Sequence, residues 1–423
     1  MKLVFSLLSK IRNPNLYKTY KYQKSLEKAD DLIIQNIKKS KLRSLLIHAN
    51  ENSKFWNSKF SNENINPYSK FPFEELKKII PIKKDDLINN NRFIQNICEG
   101  EKHFKASSSG TSGKKLVFLK NEKWDSANRA SIYQGYSWNK CYPFDFKIYF
   151  WGLNLNFITK IKTRFLDFLQ NRYRIFSYNI EDYEKIATKK NKIKIIEGYS
   201  SAIYEFSKYV IKHKIIFPNL KMVKATSETI QDEYVSSVKK AFGLNIISEY
   251  GSAEAGIISF SCKKGNMHVN DLNVIVEEYN KEIIVTNLNS HSFPVIKYLQ
   301  GDYIEYDSKK KCNCGLKSKV ISKVYGRVGS TIYGYNFSYG SLLLYNVFKN
   351  INTKNNLSLA YYSKQFEKGK IEIYIDRVHL NTKNKDLIFK EFNLYCKNDL
   401  KVIIKEKKTT NKTKKTIDFE SYL

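Results

Sequence analysis

No run of eighteen apolar residues occurs in this 423-residue chain, so no segment is long and apolar enough to cross a bilayer as a helix. The opening Met1-Lys2-Leu3-Val4-Phe5-Ser6-Leu7-Leu8 is interrupted by Lys10 and Arg12 and lacks a small-residue cleavage site. It is too short to read as a signal peptide, and a cytoplasmic chain is expected. Cysteine is scarce. Six in so long a chain argue against a disulfide framework. Cys98, Cys141, Cys262 and Cys396 are isolated, whereas Cys312 and Cys314 are one residue apart. Acidic residues are also few, 41 against 73 basic, for a net charge of +32. Such a field attracts anions: nucleotides, nucleic acid or an anionic inner membrane surface. The lysines are scattered rather than striped, in a sequence rich in Asn, Ile and Tyr, so no specific nucleic-acid binding is expected. Peripheral membrane attachment stays open.

What is present belongs to a folded protein: 42% apolar residues, 14% of all residues aromatic, and no internal repeats. The first hundred residues read as mostly helical. Leu42, Leu45, Leu46, His48 and Ala49 recur at helical spacing, and an amphipathic stretch from Phe71 to Leu87 is broken by Pro81. From about 115 to 300 short apolar runs (Ile148 to Trp151, Lys194 to Ile196, Asn245 to Ile247) alternate with helical patterns near 122–138, 200–212 and 231–242. That alternation predicts an α/β protein. The last eighty residues predict a small α+β unit, with strands over 357–362, 371–375 and 402–404, a helix near 384–396, and a basic tail from Lys405 to Lys415. The expected organisation is a helical part (1–100), an α/β core (101–327) and a C-terminal domain (328–423), hinged near Arg327 to Ser330.

Five clusters carry chemistry. Ser107 and Ser108 are followed by Ser109-Gly110-Thr111-Ser112-Gly113-Lys114. Glycines let several N–H groups converge on one anion, hydroxyls add donors and the lysine adds a point charge. The spacing is not that of a P-loop. Glu249-Tyr250-Gly251-Ser252-Ala253-Glu254 follows a predicted strand, at the end where α/β sheets bind ligands. Tyr250 could stack on a purine and Glu254 could hold magnesium. Phe293-Pro294-Val295-Ile296-Lys297-Tyr298 leads to Gly301-Asp302, whose carboxylate could accept a ribose diol, and Gly326-Arg327 offers a guanidinium. Last comes Lys412, inside Thr410-Asn411-Lys412-Thr413.

In this order the clusters resemble the acyl-adenylate-forming superfamily. Within it the chain looks like the phenylacetate–CoA ligase-like family, in the branch named for capsular polysaccharide biosynthesis. The stretches from Leu42 to Trp56, Ile80 to Leu87 and Gly198 to Ile203 are similar to that branch, and the match runs from about residue 40 onward. The resemblance implies a large adenylate-forming domain of mixed sheets and helices with a small mobile C-terminal domain. It implies ATP- and Mg²⁺-dependent conversion of a carboxylic acid into an acyl-adenylate, then transfer to coenzyme A, a carrier thiol or a sugar. By the same resemblance Ser108 to Lys114 hold phosphates, Ser227 and Glu228 lie at the adenine edge, and Tyr250 and Gly251 cover the ring. Glu254 binds magnesium, Asp302 the ribose and Arg327 the ribose–phosphate side, and Lys412 bridges the forming adenylate. A homodimer is common in the family.

Two positions depart from the family pattern. Ala253 stands where a threonine is usual, at a cost of about 1–3 kcal/mol for one lost hydroxyl, and Gly329 replaces the usual hinge residue. A non-catalytic basic scaffold for membrane or nucleotide is therefore the second reading. Cys312-Asn313-Cys314 matches a family Cys-x-Cys, and with Cys262 and His268 it makes a three-thiol, one-imidazole set for structural zinc. Buried free cysteines are the alternative. The acid-binding residues are expected within 124–160 and 199–204, rich in aromatics (Trp124, Tyr133, Tyr136, Trp138, Trp151).

Overall fold

The structure is a computed structural model describing residues 2–108, 116–151, 157–175, 180–228, 230–307, 312–327, 331–340, 342–357, 359–407 and 419–423. The chain divides into two compact units: Met1–Phe144 with Ser248–Lys323, and Asp145–Ile247 with Val324–Leu423.

The first unit begins with the expected helices. Asp31–Asn52 buries Leu42, Leu45, Leu46 and Ala49 on one face, as the spacing predicts. Ser53 then caps Lys54–Asn62 by accepting from the Trp56 N–H. The Trp56 indole donates to the Pro294 carbonyl at 3.0 Å, tying the helices to the segment before Asp302. Pro81 separates helix Pro72–Lys78 from Lys84–Asn89, as expected from its missing N–H. The remaining frame is a run of seven strands in the spatial order Val274–Tyr279, Glu282–Asn287, Tyr298–Asp307, Val320–Arg327, Met267–Val269, Gly256–Ser261, Ile246–Ser252. Most neighbours are antiparallel. Two further antiparallel strands, His103–Ser107 and Val117–Asn121, flank the Ser/Gly-rich stretch in sequence.

In the second unit four parallel strands lie in the order Met222–Thr226, Ile195–Tyr199, Lys147–Phe150, Arg172–Ile175. Helices Ser200–Lys212 and Asp232–Phe242 stand where the sequence puts them. One sheet face is apolar, with Ile148, Phe150, Ile196 and Val223 in a buried cluster. Gly198 is obligatory here: φ is +150°, and a Cβ would lie 2.2 Å from the Phe150 carbonyl oxygen. The other face carries a cross-strand row of Arg174, Tyr149, Glu197 and Lys224. The Glu197 carboxylate lies 3.8 Å from Lys147 Nζ and 3.5 Å from Lys224 Nζ, and all three side chains are buried. Removing the shared counter-charge leaves two buried ammonium groups without it. Glu197→Gln is therefore expected to lower unfolding free energy by about 3–5 kcal/mol in urea titration.

The C-terminal segment is the expected α+β unit: a four-stranded sheet (Lys401–Glu406, Lys370–Ile375, Tyr361–Glu367, Phe419–Ser421) with helices Leu342–Asn355 and Thr382–Cys396. Two elements differ from expectation. The helix Leu342–Asn355 was not foreseen, although Leu344, Val347, Phe348 and Ile351 bury one face. The first strand starts at Tyr361 rather than 357, because side chains take the backbone before it. Ala360 N–H donates to Glu233 (2.6 Å) and Tyr361 N–H to Gln231 (2.8 Å). These contacts, with Tyr204 donating to Asp376 at 2.8 Å and Lys208 at 3.0 Å from it, join the segment to Asp145–Ile247. Burial and the flanking carboxylates push the Tyr204 hydroxyl far above its ordinary value.

Candidate functional site

The strand Ile246–Ser252 runs through Tyr250 and pairs antiparallel with Gly256–Ser261. The expected strand end is thus a hairpin, with Glu254 in its turn. The turn needs glycine at 251, where a Cβ would meet the Gly256 carbonyl oxygen at 2.1 Å. It is held from three sides. Asn287 Nδ2 donates to the Glu254 and Ala255 carbonyls at 3.3 and 3.0 Å. Asn128 Oδ1 accepts from Ile257 N–H at 2.8 Å, and Ser252 Oγ accepts from Ala255 N–H at 3.0 Å. Glu254 is 3% exposed. Lys120, which sequence reasoning missed, lies within its field. Burial pulls the Lys120 ammonium below its ordinary value while Asp125 and Glu254 pull it back up.

Asp302 follows Gly301, left-handed at φ +80°, in the strand Tyr298–Asp307. Its Oδ2 accepts from the Tyr250 hydroxyl at 2.8 Å and from Gln300 Nε2 at 3.2 Å. Gln300 also donates to the Tyr250 oxygen at 3.0 Å, and its Oε1 accepts from Ser252 Oγ at 3.1 Å. Two predicted residues 52 positions apart thereby meet directly, and Gln300, which no sequence signal singled out, bonds to both. A carboxylate fixed in this way presents its acceptors with little freedom left to lose.

Ser108 closes the base of the phosphate-type loop: its N–H donates to the Leu116 carbonyl (2.9 Å) and its Oγ accepts from Leu116 N–H (3.0 Å). Ser109, Gly110, Thr111, Ser112, Gly113 and Lys114 lie outside the described residues, as does Lys412. Arg327 ends the strand Val320–Arg327. In the second unit Ser227 is left-handed at φ +69° just after strand Met222–Thr226, a costly conformation for a residue with a Cβ. Glu228 accepts from Ser200 Oγ (3.1 Å) and Ser201 N–H (2.9 Å), so its carboxylate sits at the N-terminus of helix Ser200–Lys212. Nearby, Trp151 stacks on Tyr199 at 4.5 Å and Tyr149 at 5.7 Å.

The predicted thiol–imidazole set converges. The ligand atoms of Cys262, His268, Cys312 and Cys314 all lie within 4.8 Å of one another. Cys262 Sγ is 3.8 Å from Cys312 Sγ, and Cys314 Sγ is 3.2 Å from His268 Nε2. A tetrahedral ion with sulfur ligands at about 2.3 Å spaces those sulfurs about 3.8 Å apart, so the set fits. His268 Nδ1 faces the Ser318 carbonyl at 3.2 Å and its hydroxyl at 3.1 Å, which leaves Nε2 toward the sulfurs. Asn266 Nδ2 and the Leu316 N–H point at Cys312 and Cys314 sulfurs at 3.2 and 3.5 Å.

No protein-family model matches the sequence. The chain is 23% identical to protein CapK of Staphylococcus aureus over 348 residues, covering 77% of this chain and 75% of that protein. Among solved structures it is similar to 2-hydroxyisobutyryl-CoA ligase in the postadenylation state (TM-score 0.70, 12% identity, 93% of this chain and 91% of that one). It is also similar to an ATP-bound RpMatB-BxBclM chimera (TM-score 0.51, 12% identity, 74% and 65% covered). No helix among the described residues is long and apolar enough to cross a membrane. The chain thus has the mixed α/β fold of the acyl-adenylate-forming ligases, with a small C-terminal domain, and its sequence is similar to CapK.

Proposed function

We propose that this protein is an ATP-dependent, AMP-forming carboxylate ligase. The reading is supported most by the Tyr250–Gln300–Asp302 arrangement, which gives one fixed carboxylate beside an aromatic ring within an adenylate-forming fold. A substrate carboxylate oxygen attacks the α-phosphorus of ATP, the bond to the β-phosphate bridging oxygen breaks, and pyrophosphate leaves. Such a reaction is accelerated by alignment and charge neutralisation more than by covalent help.

Each residue has a part. Asp302 accepts both ribose hydroxyls, and Tyr250 covers the purine while its hydroxyl orients Asp302. Ser227, held left-handed, and Glu228, anchored on the helix Ser200–Lys212, turn the chain so that backbone groups of this corner meet the adenine edge. Ser108 sets the base of the loop whose Ser109 to Lys114 take the β- and γ-phosphates, and Arg327 serves the ribose–phosphate side. No described group hydrogen-bonds the Glu254 carboxylate, which suits one oxygen ligand for a magnesium ion otherwise bound by phosphate and water. When bound, that ion neutralises phosphate charge. Lys412 bridges substrate carboxylate and α-phosphate, and rotation of the C-terminal domain (328–423) then withdraws it for attack by the acceptor. Coenzyme A, a carrier thiol or a sugar is that acceptor, in the phenylacetate–CoA ligase-like manner and in surface polysaccharide biosynthesis. Cys262, His268, Cys312 and Cys314 hold a structural zinc, four protein ligands leaving no open position for catalysis.

The test is ATP–pyrophosphate exchange by the purified chain against aryl, short-chain, hydroxy and amino acids. Exchange with one class, lost in Lys412→Ala, is expected. Absence of exchange with every class by a folded, ATP-binding protein would favour the scaffold reading that Ala253 suggests.

A further inference from the structure

Each unit carries one helix mounted with its apolar side outward. On Lys2–Arg12, Leu3, Val4, Leu7, Leu8 and Ile11 share an arc of about 140°, and all five are exposed, Leu3 at 85% and Ile11 at 62%. None of the helix's residues is buried. The polar side faces the protein: Arg12 pairs with Asp125 and lies 4.0 Å over the Phe104 ring, and Ser9 hydrogen-bonds Tyr133. Phe5 is the apolar exception, 6.4 Å from the Phe144 ring.

The helix Phe157–Leu169 in the second unit repeats this logic. Asp167 is 1% exposed, paired with Arg172 and Arg174, and Arg164 donates to the Arg174 carbonyl. Ile158, Ile161, Phe165 and Phe168 are exposed, Ile158 at 79% and Phe165 at 62%. Surface helices ordinarily do the reverse, turning the apolar stripe to the core.

We infer that these two helices are membrane-surface anchors that lay their apolar faces into an anionic lipid interface. Charge chooses this occupant. Lys2–Arg12 contains no acid at all, and the one acid of Phe157–Leu169, Asp167, faces inward. Exposed Lys10 borders the first stripe and exposed Lys162 the second. Basic rims around an apolar stripe are the pattern of interfacial helices, each lysine adding attraction to anionic headgroups. A second copy of this chain is disfavoured, since it would bring +32 against +32. Helices of 11 and 13 residues are too short to span a bilayer and lie along it instead.

The experiment is co-sedimentation of the full chain with vesicles of phosphatidylcholine alone or mixed with phosphatidylglycerol, at low and high salt. Binding to the mixed vesicles is expected, weakened by salt and by about tenfold or more in Leu7→Gln/Ile11→Gln and in Ile161→Gln/Phe165→Gln. These outward substitutions should leave the circular dichroism and thermal midpoint unchanged. Three results would overturn the inference. One is no binding by the wild type. Another is binding lost in salt but indifferent to the glutamines, meaning bulk charge alone. The third is a wild-type dimer that the same substitutions dissociate, making the faces a contact between copies.

Discussion

Asp302→Ala is expected to lower ATP–pyrophosphate exchange by about 10²- to 10⁴-fold. The magnitude comes from two hydrogen bonds between a carboxylate and the ribose hydroxyls, each about 1.5–3 kcal/mol when one partner is charged, at about 1.4 kcal/mol per factor of ten. The Tyr250 hydroxyl and Gln300 Nε2, at 2.8 and 3.2 Å from Asp302 Oδ2, act through that carboxylate. Tyr250→Phe and Gln300→Ala are therefore expected to cost about tenfold, chiefly in KM for ATP, because the Tyr250→Phe variant keeps an aromatic ring over the purine. Exchange kinetics on the three variants separate the roles. An Asp302→Ala loss no larger than that of Tyr250→Phe would remove Asp302 from the ribose and leave it a structural partner of the hairpin.

The second large effect concerns the four-ligand cluster. Purified protein is expected to contain about one zinc per chain, measured by elemental analysis, and Cys262→Ser or Cys314→Ala to lose it. The ion would tie the turn after strand Gly256–Ser261 to the segment before Val320–Arg327, so its loss should lower the thermal midpoint by about 10 °C or more. The ligand distances, 3.8 Å between two sulfurs and 3.2 Å from sulfur to imidazole, already match a tetrahedral site. A protein free of zinc, with an unchanged midpoint in Cys314→Ala, would make these buried thiols and nothing more. Because the proposed ion touches no group of the Tyr250–Asp302 arrangement, chelation is expected to act on exchange through stability alone.

Local physics was legible in the chain. Spacing of 3.6 residues placed Asp31–Asn52, Glu122–Trp138, Ser200–Lys212 and Asp232–Phe242, because each helix buries a face whose period is written in consecutive residues. Pro81 broke the helical stretch because a missing N–H acts at its own position. The order of motifs named the fold, and the four zinc-type ligands were grouped by resemblance. Helix Leu342–Asn355 was readable in its spacing but obscured by its asparagines, poor helix formers that packing overrides.

Other features needed the folded chain. Gln300 becomes part of the site only because side chains from two strands that are not neighbours in the sheet meet at residues 250 and 302, and side-chain partners far apart in sequence leave no periodic trace. His268 reaches the cysteines because its strand pairs on one side with Phe260 and on the other with Val320. Most telling are the two outward helices. Periodicity reveals that a helix has an apolar side, since that is a property of one segment. Which way that side points depends on what the opposite side can hold, here Asp125 for Arg12 and Arg172 and Arg174 for Asp167. That choice is an energy between segments, so tertiary structure alone decides it.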